Sequence, residues 1–272
     1  MIASPSIRLF LRDWLPPAFL RLAARKNRIS WSGEYRTWED AVRVSSGYSA
    51  PAILEKVHDA ALRVKRGEAA FERDSVVFAT SEYSWPLLAI LLWIASLNDG
   101  RLRLIDFGGS LGSSYFQHRP LLSGLKEIKW FVVEQPHFVA CGNAEFQDEC
   151  LRFCNTINEC LAEGPIHAVL LSSVLPYLEA PYRLLDEIFS HNARHIVIDR
   201  TPFLLSGDED RLTVQRVPAA IYPASYPAWF FSQKKFEAFV QKKYRILASF
   251  PTLDRADIPS RYLGVLLELK SL

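Results

Sequence analysis

Three glycines lie within five residues in the segment LRLIDFGGSLGSSYF, residues 102–116, although the whole chain has only 12 glycines among its 272 residues. Gly108, Gly109 and Gly112 follow an alternating apolar run that contains Asp106, and a helix-like sequence follows them. Glycine permits positive φ, and a turn without side chains lets backbone N–H groups approach a ligand at the start of a helix. The segment therefore predicts a site for a small anionic or zwitterionic ligand. A tight turn between strand and helix without any ligand is the alternative.

The glycine spacing distinguishes between kinds of nucleotide site. It does not fit the dinucleotide-binding pattern G-x-G-x-x-G, because Ser110 and Ser113 stand where its second and third glycines would be. The pattern D-x-G-x-G-x-G, starting at Asp106, fits with Ser110 as its one departure. A second acid, Glu134, ends the apolar run WFVVE 26 positions after Gly108, as one strand–helix–strand step requires. An acid in this position supports nucleoside binding, and a solvated carboxylate at a strand end is the alternative.

After residue 100, short apolar runs alternate with amphipathic segments, which is typical of a parallel sheet with crossover helices. Strands are predicted at residues 102–107, 129–134, 151–154, 168–171 and 195–199. Helices are predicted at residues 112–123, 139–148, 155–161, 182–190 and 232–243. Two further apolar runs, YRILASF and RYLGVLLELK, are joined by a loop too short for a helical crossover, so this pair should be antiparallel. We therefore predict an α/β fold with a Rossmann-like, mostly parallel sheet of seven strands and an antiparallel terminal hairpin.

The segment before residue 100 has a different pattern and predicts an N-terminal helical cap over residues 1–99. Three helices are expected there, from apolar residues at intervals of three and four and from one continuous apolar run, at residues 37–45, 50–67 and 85–98. The Rossmann-like domain then covers residues 100–272 and contains an insertion at residues 201–231. We expect this insertion to be a long functional loop without regular structure.

The pattern D-x-G-x-G-x-G, with an acid at the end of the next strand, resembles the class I S-adenosylmethionine-dependent methyltransferases. The segments LIDFGGSLGSSYFQHRPLL, KWFVVEQPHFV and HAVLLSSVLPYLEAPYRLLDEI are similar to those of a bacterial methyltransferase family associated with surface-polysaccharide biosynthesis genes. This second resemblance runs from about Trp31 almost to the C-terminus. It implies S-adenosylmethionine as the cofactor, and the leading hypothesis is O-methylation of a saccharide or glycolipid precursor.

The resemblance also implies which residues contact the cofactor. Its methionine end would rest near Asp106 and the glycine turn, and its ribose hydroxyls would donate hydrogen bonds to Glu134. Its adenine would lie between the ends of the second and third strands, where the matching positions are Gln135, Cys154 and Asn155. Ser172 follows the fourth strand, where methyltransferases commonly contact cofactor and acceptor, although it could equally cap a helix.

Methyl transfer to a hydroxyl requires an acceptor held in line with the donor carbon and a base nearby. The candidate catalytic residues are His118, Tyr177 and Asp199. His118 follows the glycine turn and could act as the base, but a histidine buried in the core or exposed on the helix is the alternative. Asp199 and Arg200 lie at the end of the fifth strand, where doubly wound folds keep functional residues, and a local ion pair is the alternative.

Aromatic residues of the insertion, together with Arg200, are the candidates for acceptor binding. Tyr222, Tyr226 and Trp229 would present aromatic faces with polar tips, which suit a sugar or a lipid-linked sugar. Packing of the insertion against the domain would explain them equally well.

Charge and composition limit the partners. A net charge of +2 with 23% charged residues lacks the basic footprint of a nucleic-acid-binding protein, so no nucleic-acid partner is predicted. The first thirty residues combine six cations with apolar side chains and could lie on an anionic membrane surface, or could pack on the main domain as a helix. Without a signal peptide or membrane span, a cytoplasmic location is expected, at the inner membrane surface if this stretch binds lipid. The oligomeric state stays open.

No metal site is predicted, because the four cysteines form no C-x-x-C pair and a turn separates His191 from His195. Two other functions stay open. A nucleotide-dependent oxidoreductase or epimerase is disfavoured by the glycine spacing and the terminal hairpin. A non-catalytic binding protein with a cofactor-binding fold is favoured by the absence of an unmistakable base and by the basic N-terminus.

Overall fold

The secondary structure comes from a computed structural model that describes residues 28–46, 50–73, 76–80, 83–219, 221 and 223–270. The first elements are β1 (Ser30–Tyr35), α1 (Trp38–Arg43), α2 (Ala50–Lys65), β2 (Phe71–Arg73), β3 (Val76–Phe78) and α3 (Trp85–Ser96). The middle of the chain forms β4 (Arg101–Phe107), α4 (Ser113–Leu122), β5 (Glu127–Val133), α5 (Pro136–Glu145), β6 (Leu151–Cys154), α6 (Ile157–Ala162), β7 (Ala168–Ser172), a 3₁₀ turn (Leu175–Tyr177) and α7 (Pro181–Ser190). The last elements are β8 (His195–Leu204), β9 (Arg211–Val217), β10 (Ala224–Phe230), α8 (Gln233–Val240), β11 (Tyr244–Pro251) and β12 (Ser260–Leu269).

The main sheet has seven strands in the order β11-β12-β8-β7-β4-β5-β6. β4, β5, β6, β7 and β8 pair in parallel, whereas β12 lies antiparallel to both of its neighbours, β8 and β11. The order changes direction at β4, whose neighbours are β5 and β7, and in open α/β sheets ligands bind beyond the strand ends at such a point. The predicted fold class is confirmed, including the antiparallel terminal pair.

Both faces of the main sheet are buried, which explains the continuous apolar runs of its central strands. In β7, the residues from Ala168 to Leu171 are all buried. Successive strand residues point to opposite faces, so Leu104 packs with α3, α4 and α5 while Ile105 packs with α6, α7 and α8. Helices on both faces therefore hold the carboxyl ends of the strands in fixed positions.

A second sheet corrects the expectation that the insertion lacks regular structure. β1, β9 and β10 form an antiparallel sheet in which Trp31 pairs with Gln215 and Tyr226 also pairs with Gln215. The prediction missed β10 because Pro227 indicates a loop, but β10 is an edge strand of this sheet, where proline is tolerated. The segment predicted to be wholly helical also contains β1, β2 and β3.

The first 27 residues, with the predicted membrane-binding stretch, and Tyr222 lie outside the described residues. Among the helices that the structure does describe, none combines the length and apolar character that crossing a membrane requires.

Candidate functional site

The glycine turn joins β4 to α4 through three residues with positive φ. Gly108 has φ 71°, Ser110 has φ 55° and Gly112, which caps α4, has φ 89°. At Gly108 a Cβ atom would lie 2.5 Å from Val174 Cγ2, so only glycine fits this close approach of the turn to the segment after β7. Ser110 adopts the left-handed conformation at the position where the sequence pattern expects glycine.

Asp106 lies beneath this turn and is 1% exposed. One carboxylate oxygen accepts a hydrogen bond from Trp130 Nε1 at 3.0 Å, and the other, Oδ1, is buried without a hydrogen-bond partner among the described residues. The pKa of Asp106 is raised to about 7, mainly by burial; the Trp130 hydrogen bond lowers it, and the nearby charge of Glu134 contributes to the increase. Asp106 Oδ1 is thus a buried acceptor beside the turn to which no described residue donates a hydrogen bond.

Glu134 connects the end of β5 to the glycine turn. Its Oε1 accepts a hydrogen bond from the Ser110 N–H at 3.2 Å, and its Oε2 accepts one from the Gln135 N–H at 2.9 Å. Burial raises the pKa of Glu134, and these two N–H groups oppose the increase. The two acids meet because β4 and β5 are parallel neighbours in which Asp106 pairs with Val132, so their carboxyl ends coincide.

Asp199 brings a third buried carboxylate to the same edge of the sheet. It pairs with Ser172 across β7 and β8, and the Ser172 hydroxyl donates a hydrogen bond to its Oδ2 at 3.3 Å. Its Oδ1 is buried without a hydrogen-bond partner among the described residues. Burial raises the pKa of Asp199 to about 6, although the Arg200 charge acts in the opposite direction. A carboxylate with this pKa is ionised at neutral pH and can accept a proton.

Arg200 forms an ion pair with Asp254, 54 positions further along the chain, and not the local pair that the sequence suggested as an alternative. Its guanidinium donates to both carboxylate oxygens of Asp254 at 2.9 to 3.2 Å, and both side chains also line the cavity described below. Its φ of 52° places it in the left-handed region, at the point in β8 where the pairing with β12 shifts register.

Gln215 is a site residue that sequence reasoning missed. It is buried on β9, accepts a hydrogen bond from the Tyr177 hydroxyl at 2.9 Å and donates one to the Tyr226 hydroxyl at 3.2 Å. The two tyrosine rings lie edge to face, 5.5 Å apart. Gln215 thereby connects the side chain of Tyr177, which follows β7, to the side chain of Tyr226, which lies in the second sheet. No motif surrounds Gln215, and the only sequence signal is a polar residue in an otherwise alternating strand.

These groups line one cavity of about 1150 Å³ at the carboxyl ends of the strands. Most of the predicted site residues contribute to its wall, namely Asp106, Gly108, Gly109, Glu134, Gln135, Asn155, Ser172, Tyr177, Asp199, Arg200 and Tyr226. The predicted residues that the structure places outside the wall are Gly112, His118 and Trp229. The turn, the second strand end and the insertion thus meet as the sequence indicated, while the roles of the individual residues remain predictions.

His118 and Trp229 do not line the cavity themselves and contact residues that do, namely Ser114, Leu178 and Trp38. His118 is fully buried in α4, where its Nδ1 lies 2.8 Å from the Ser114 carbonyl oxygen, and burial lowers its pKa. Trp229 donates from Nε1 to the Leu178 carbonyl oxygen at 3.0 Å and stacks on Trp38. These contacts fit the packing alternative for both side chains.

One cluster among the described residues has the side-chain types of a metal site. His58, Cys141 and Glu145 place a ring nitrogen, a thiol and a carboxylate within 4.8 Å of one another. His58 Nε2 already lies 3.0 Å from Glu145 Oε1, so this pair forms a contact between α2 and α5. The cluster is therefore accounted for by helix packing.

No protein-family model and no curated protein matches the chain. Among solved structures it is similar to magnesium protoporphyrin IX methyltransferase from Synechocystis PCC 6803 with bound S-adenosylmethionine, at 12% identity and a TM-score of 0.45 over 99% of this chain and 100% of that chain. It is also similar to 1,6-didemethyltoxoflavin-N1-methyltransferase from Burkholderia thailandensis, at 15% identity and a TM-score of 0.44 over 83% and 92%. A third similar structure is the N-terminal domain of EvdMO1 with bound S-adenosylhomocysteine, at 14% identity and a TM-score of 0.47 over 79% and 97%. At these values the similarities carry no weight for function, which depends on the site itself.

The raised pKa of Asp106 predicts a pH-dependent stability. Between about pH 4, where an unfolded aspartate titrates, and about pH 7, the folded protein binds more protons at this site than the unfolded chain does. The free energy of unfolding therefore falls as pH rises through this window. In Asp106→Asn this contribution is absent. In urea denaturation, the free energy of unfolding of the variant relative to that of the wild type should therefore increase from pH 4 to pH 7, by on the order of a few kcal/mol. The exposed Asp186→Asn is the control, and parallel pH profiles for Asp106→Asn and the wild type would contradict the prediction.

Proposed function

We propose that the protein is an S-adenosylmethionine-dependent methyltransferase that acts on a hydroxyl of a saccharide or glycolipid precursor. The observation that carries the proposal is the position of Asp106, Glu134 and Asp199 around one cavity, with a glycine-rich turn between the first two. The first two acids suit a ligand that has both an amino group and a ribose. The third suits an acceptor whose hydroxyl must lose a proton.

The residues of the turn fit the cofactor. The unpartnered Oδ1 of Asp106 offers an acceptor to the ammonium of the methionine part. Gly108 lets the turn pack directly against Val174, which fixes the backbone of the turn beside the cavity. Each oxygen of Glu134 accepts one backbone hydrogen bond and keeps acceptor capacity for a ribose hydroxyl. Gln135 and Asn155 line the cavity past the ends of β5 and β6, where the adenine would lie. When bound, S-adenosylmethionine supplies an electrophilic methyl group on its sulfonium.

Asp199 is the group that we assign to proton removal. Its Oδ1 is buried in the cavity region, and Ser172 holds the other oxygen, which orients the carboxylate. Asp199 takes the proton that the acceptor hydroxyl releases, and the pKa of about 6 keeps it ionised at neutral pH for this purpose. Tyr177 and Tyr226, linked by Gln215, give hydroxyl groups on the same wall that can position a saccharide. Their fixed positions serve the alignment that methyl transfer requires.

We also propose a cytoplasmic location, with contact to the inner membrane surface through the first thirty residues. Six cations against one acid, interspersed with apolar side chains, support an affinity of this stretch for anionic lipid. A small-molecule or lipid-linked saccharide is the proposed partner, in agreement with the modest net charge of the whole chain.

Glu134→Gln tests the cofactor assignment. Loss of a charge-assisted hydrogen bond to a ribose hydroxyl should weaken binding of S-adenosylhomocysteine about 10- to 100-fold in isothermal titration calorimetry. Glu127→Gln, at the opposite end of β5, should leave the affinity unchanged. Binding of NAD instead of S-adenosylhomocysteine by the folded wild type would move the assignment to an oxidoreductase or epimerase, and equal affinities for the two variants would remove Glu134 from the site.

Asp199→Asn tests the role in proton removal. Transfer of labelled methyl from S-adenosylmethionine to a panel of alkyl glycosides should fall about 10²- to 10⁴-fold in kcat, the usual contribution of a general base. In the wild type, kcat should rise with pH and level off above about pH 6, where Asp199 is ionised. The variant should keep its affinity for S-adenosylhomocysteine, and Asp186→Asn should behave as the wild type. An unchanged kcat in Asp199→Asn refutes the assignment, and cofactor binding without any transfer by the wild type favours a non-catalytic binding protein.

A further inference from the structure

The cavity extends beyond the cofactor and acceptor residues into a region built by the elements that precede the main sheet. We call this region the N-terminal chamber, and its wall is formed by Val57, Val76, Phe78, Tyr83, Trp85 and Leu87. The whole cavity, about 1150 Å³, exceeds the roughly 300–1,000 Å³ that a single small-molecule site occupies. It has room for a second molecule beside the cofactor.

Two contacts fix the position of the chamber relative to the glycine turn. The Ser113 hydroxyl, at the first residue of α4, donates a hydrogen bond to Glu72 on β2. Lys56 Nζ on α2 donates to the Ile221 carbonyl oxygen, in the turn between β9 and β10, at 2.6 Å. The chamber is therefore held directly beside the start of α4 and is bordered on another side by the insertion.

The chamber wall is apolar and partly open to water. Trp85 is 63% exposed and Val76 is 37% exposed, and two further exposed apolar residues, Val42 and Leu253, line the same cavity. Contiguous exposed apolar side chains around a cavity favour a ligand that removes them from water. Glu72, whose carboxylate accepts the Ser113 hydrogen bond, lines the cavity where the chamber borders the start of α4.

We infer that the N-terminal chamber binds the hydrocarbon chain of an amphiphilic acceptor whose polar head reaches Asp199 and Tyr177. The inference rests on the proposed function and narrows its substrate class from a saccharide or glycolipid precursor to an acceptor that carries a hydrocarbon chain. A free sugar would leave the apolar wall exposed, whereas a hydrocarbon chain covers it and gains affinity with every buried CH₂ group. The polar groups at the ends of β7 and β8 and the apolar wall from α2, β3 and α3 thus match the two ends of one molecule.

The test is calorimetric titration of the full chain with hexyl, octyl and decyl β-glucosides below their critical micelle concentrations. The Kd should fall about threefold to fourfold for each added CH₂ group, with one molecule bound per chain. Trp85→Ala should weaken decyl glucoside binding about tenfold and hexyl glucoside binding much less. Trp93→Ala, on the same helix but outside the cavity, is the matched control and should bind as the wild type does. Val76→Asp places a charge in the chamber wall at a partly exposed position, where water can solvate it. Like Trp85→Ala, it should reduce the dependence of Kd on chain length.

A Kd that is independent of chain length, as expected if residues of this chain fill the chamber, overturns the inference. Equal losses in Trp85→Ala and Trp93→Ala overturn it as well, because they indicate non-specific adsorption. S-adenosylhomocysteine is titrated in parallel. Chain-length dependence without binding of S-adenosylhomocysteine would support the chamber as a lipid site and refute the methyltransferase proposal, whereas the reverse result would refute the chamber alone.

Discussion

Burial of acidic side chains at the carboxyl ends of the central strands is the constraint on which the site depends. Desolvation is the largest influence on the pKa of Asp106, Glu134 and Asp199, and it raises all three. The Trp130 indole, the Ser110 N–H and the Ser172 hydroxyl offset part of this cost. The hydrogen bonding and protonation state of a carboxylate in such surroundings respond strongly to a donor or proton that a ligand brings, because little water competes for the carboxylate.

The fold keeps these groups in place through parallel pairing and through close packing of the turn. The pairing of β4 with β5 sets Glu134 against the turn, and the pairing of β7 with β8 sets Ser172 against Asp199. At Gly109 a Cβ atom would lie 2.6 Å from the Asp106 carboxylate, so the absence of a side chain there lets the turn close over the acid. Small changes at these positions would therefore alter the site even though they lie outside any direct contact with an acceptor.

Much of the main sheet and the approach of Glu134 to the glycine turn could be predicted from the sequence, because both are local patterns. β6 has the predicted bounds, and the spacing between the glycine turn and Glu134 reflects one strand–helix–strand unit. The second sheet could not be predicted in this way. β1 pairs with a strand about 180 positions away, and Pro227 is a residue type that favours a loop over the strand β10. Gln215 and the N-terminal chamber were missed for a related reason. Their residues come from elements that are distant in sequence and meet only in the folded chain, so they form no sequence motif.

The most direct measurement is a crystal structure of the protein grown with S-adenosylhomocysteine. If the proposed function is correct, both ribose hydroxyls lie within hydrogen-bond distance of the Glu134 carboxylate and the amino group lies beside Asp106 Oδ1. The sulfur then faces the space between Asp199 and the N-terminal chamber. Ligand density away from the glycine turn, or a Glu134 carboxylate directed away from the ribose, would contradict the proposed function.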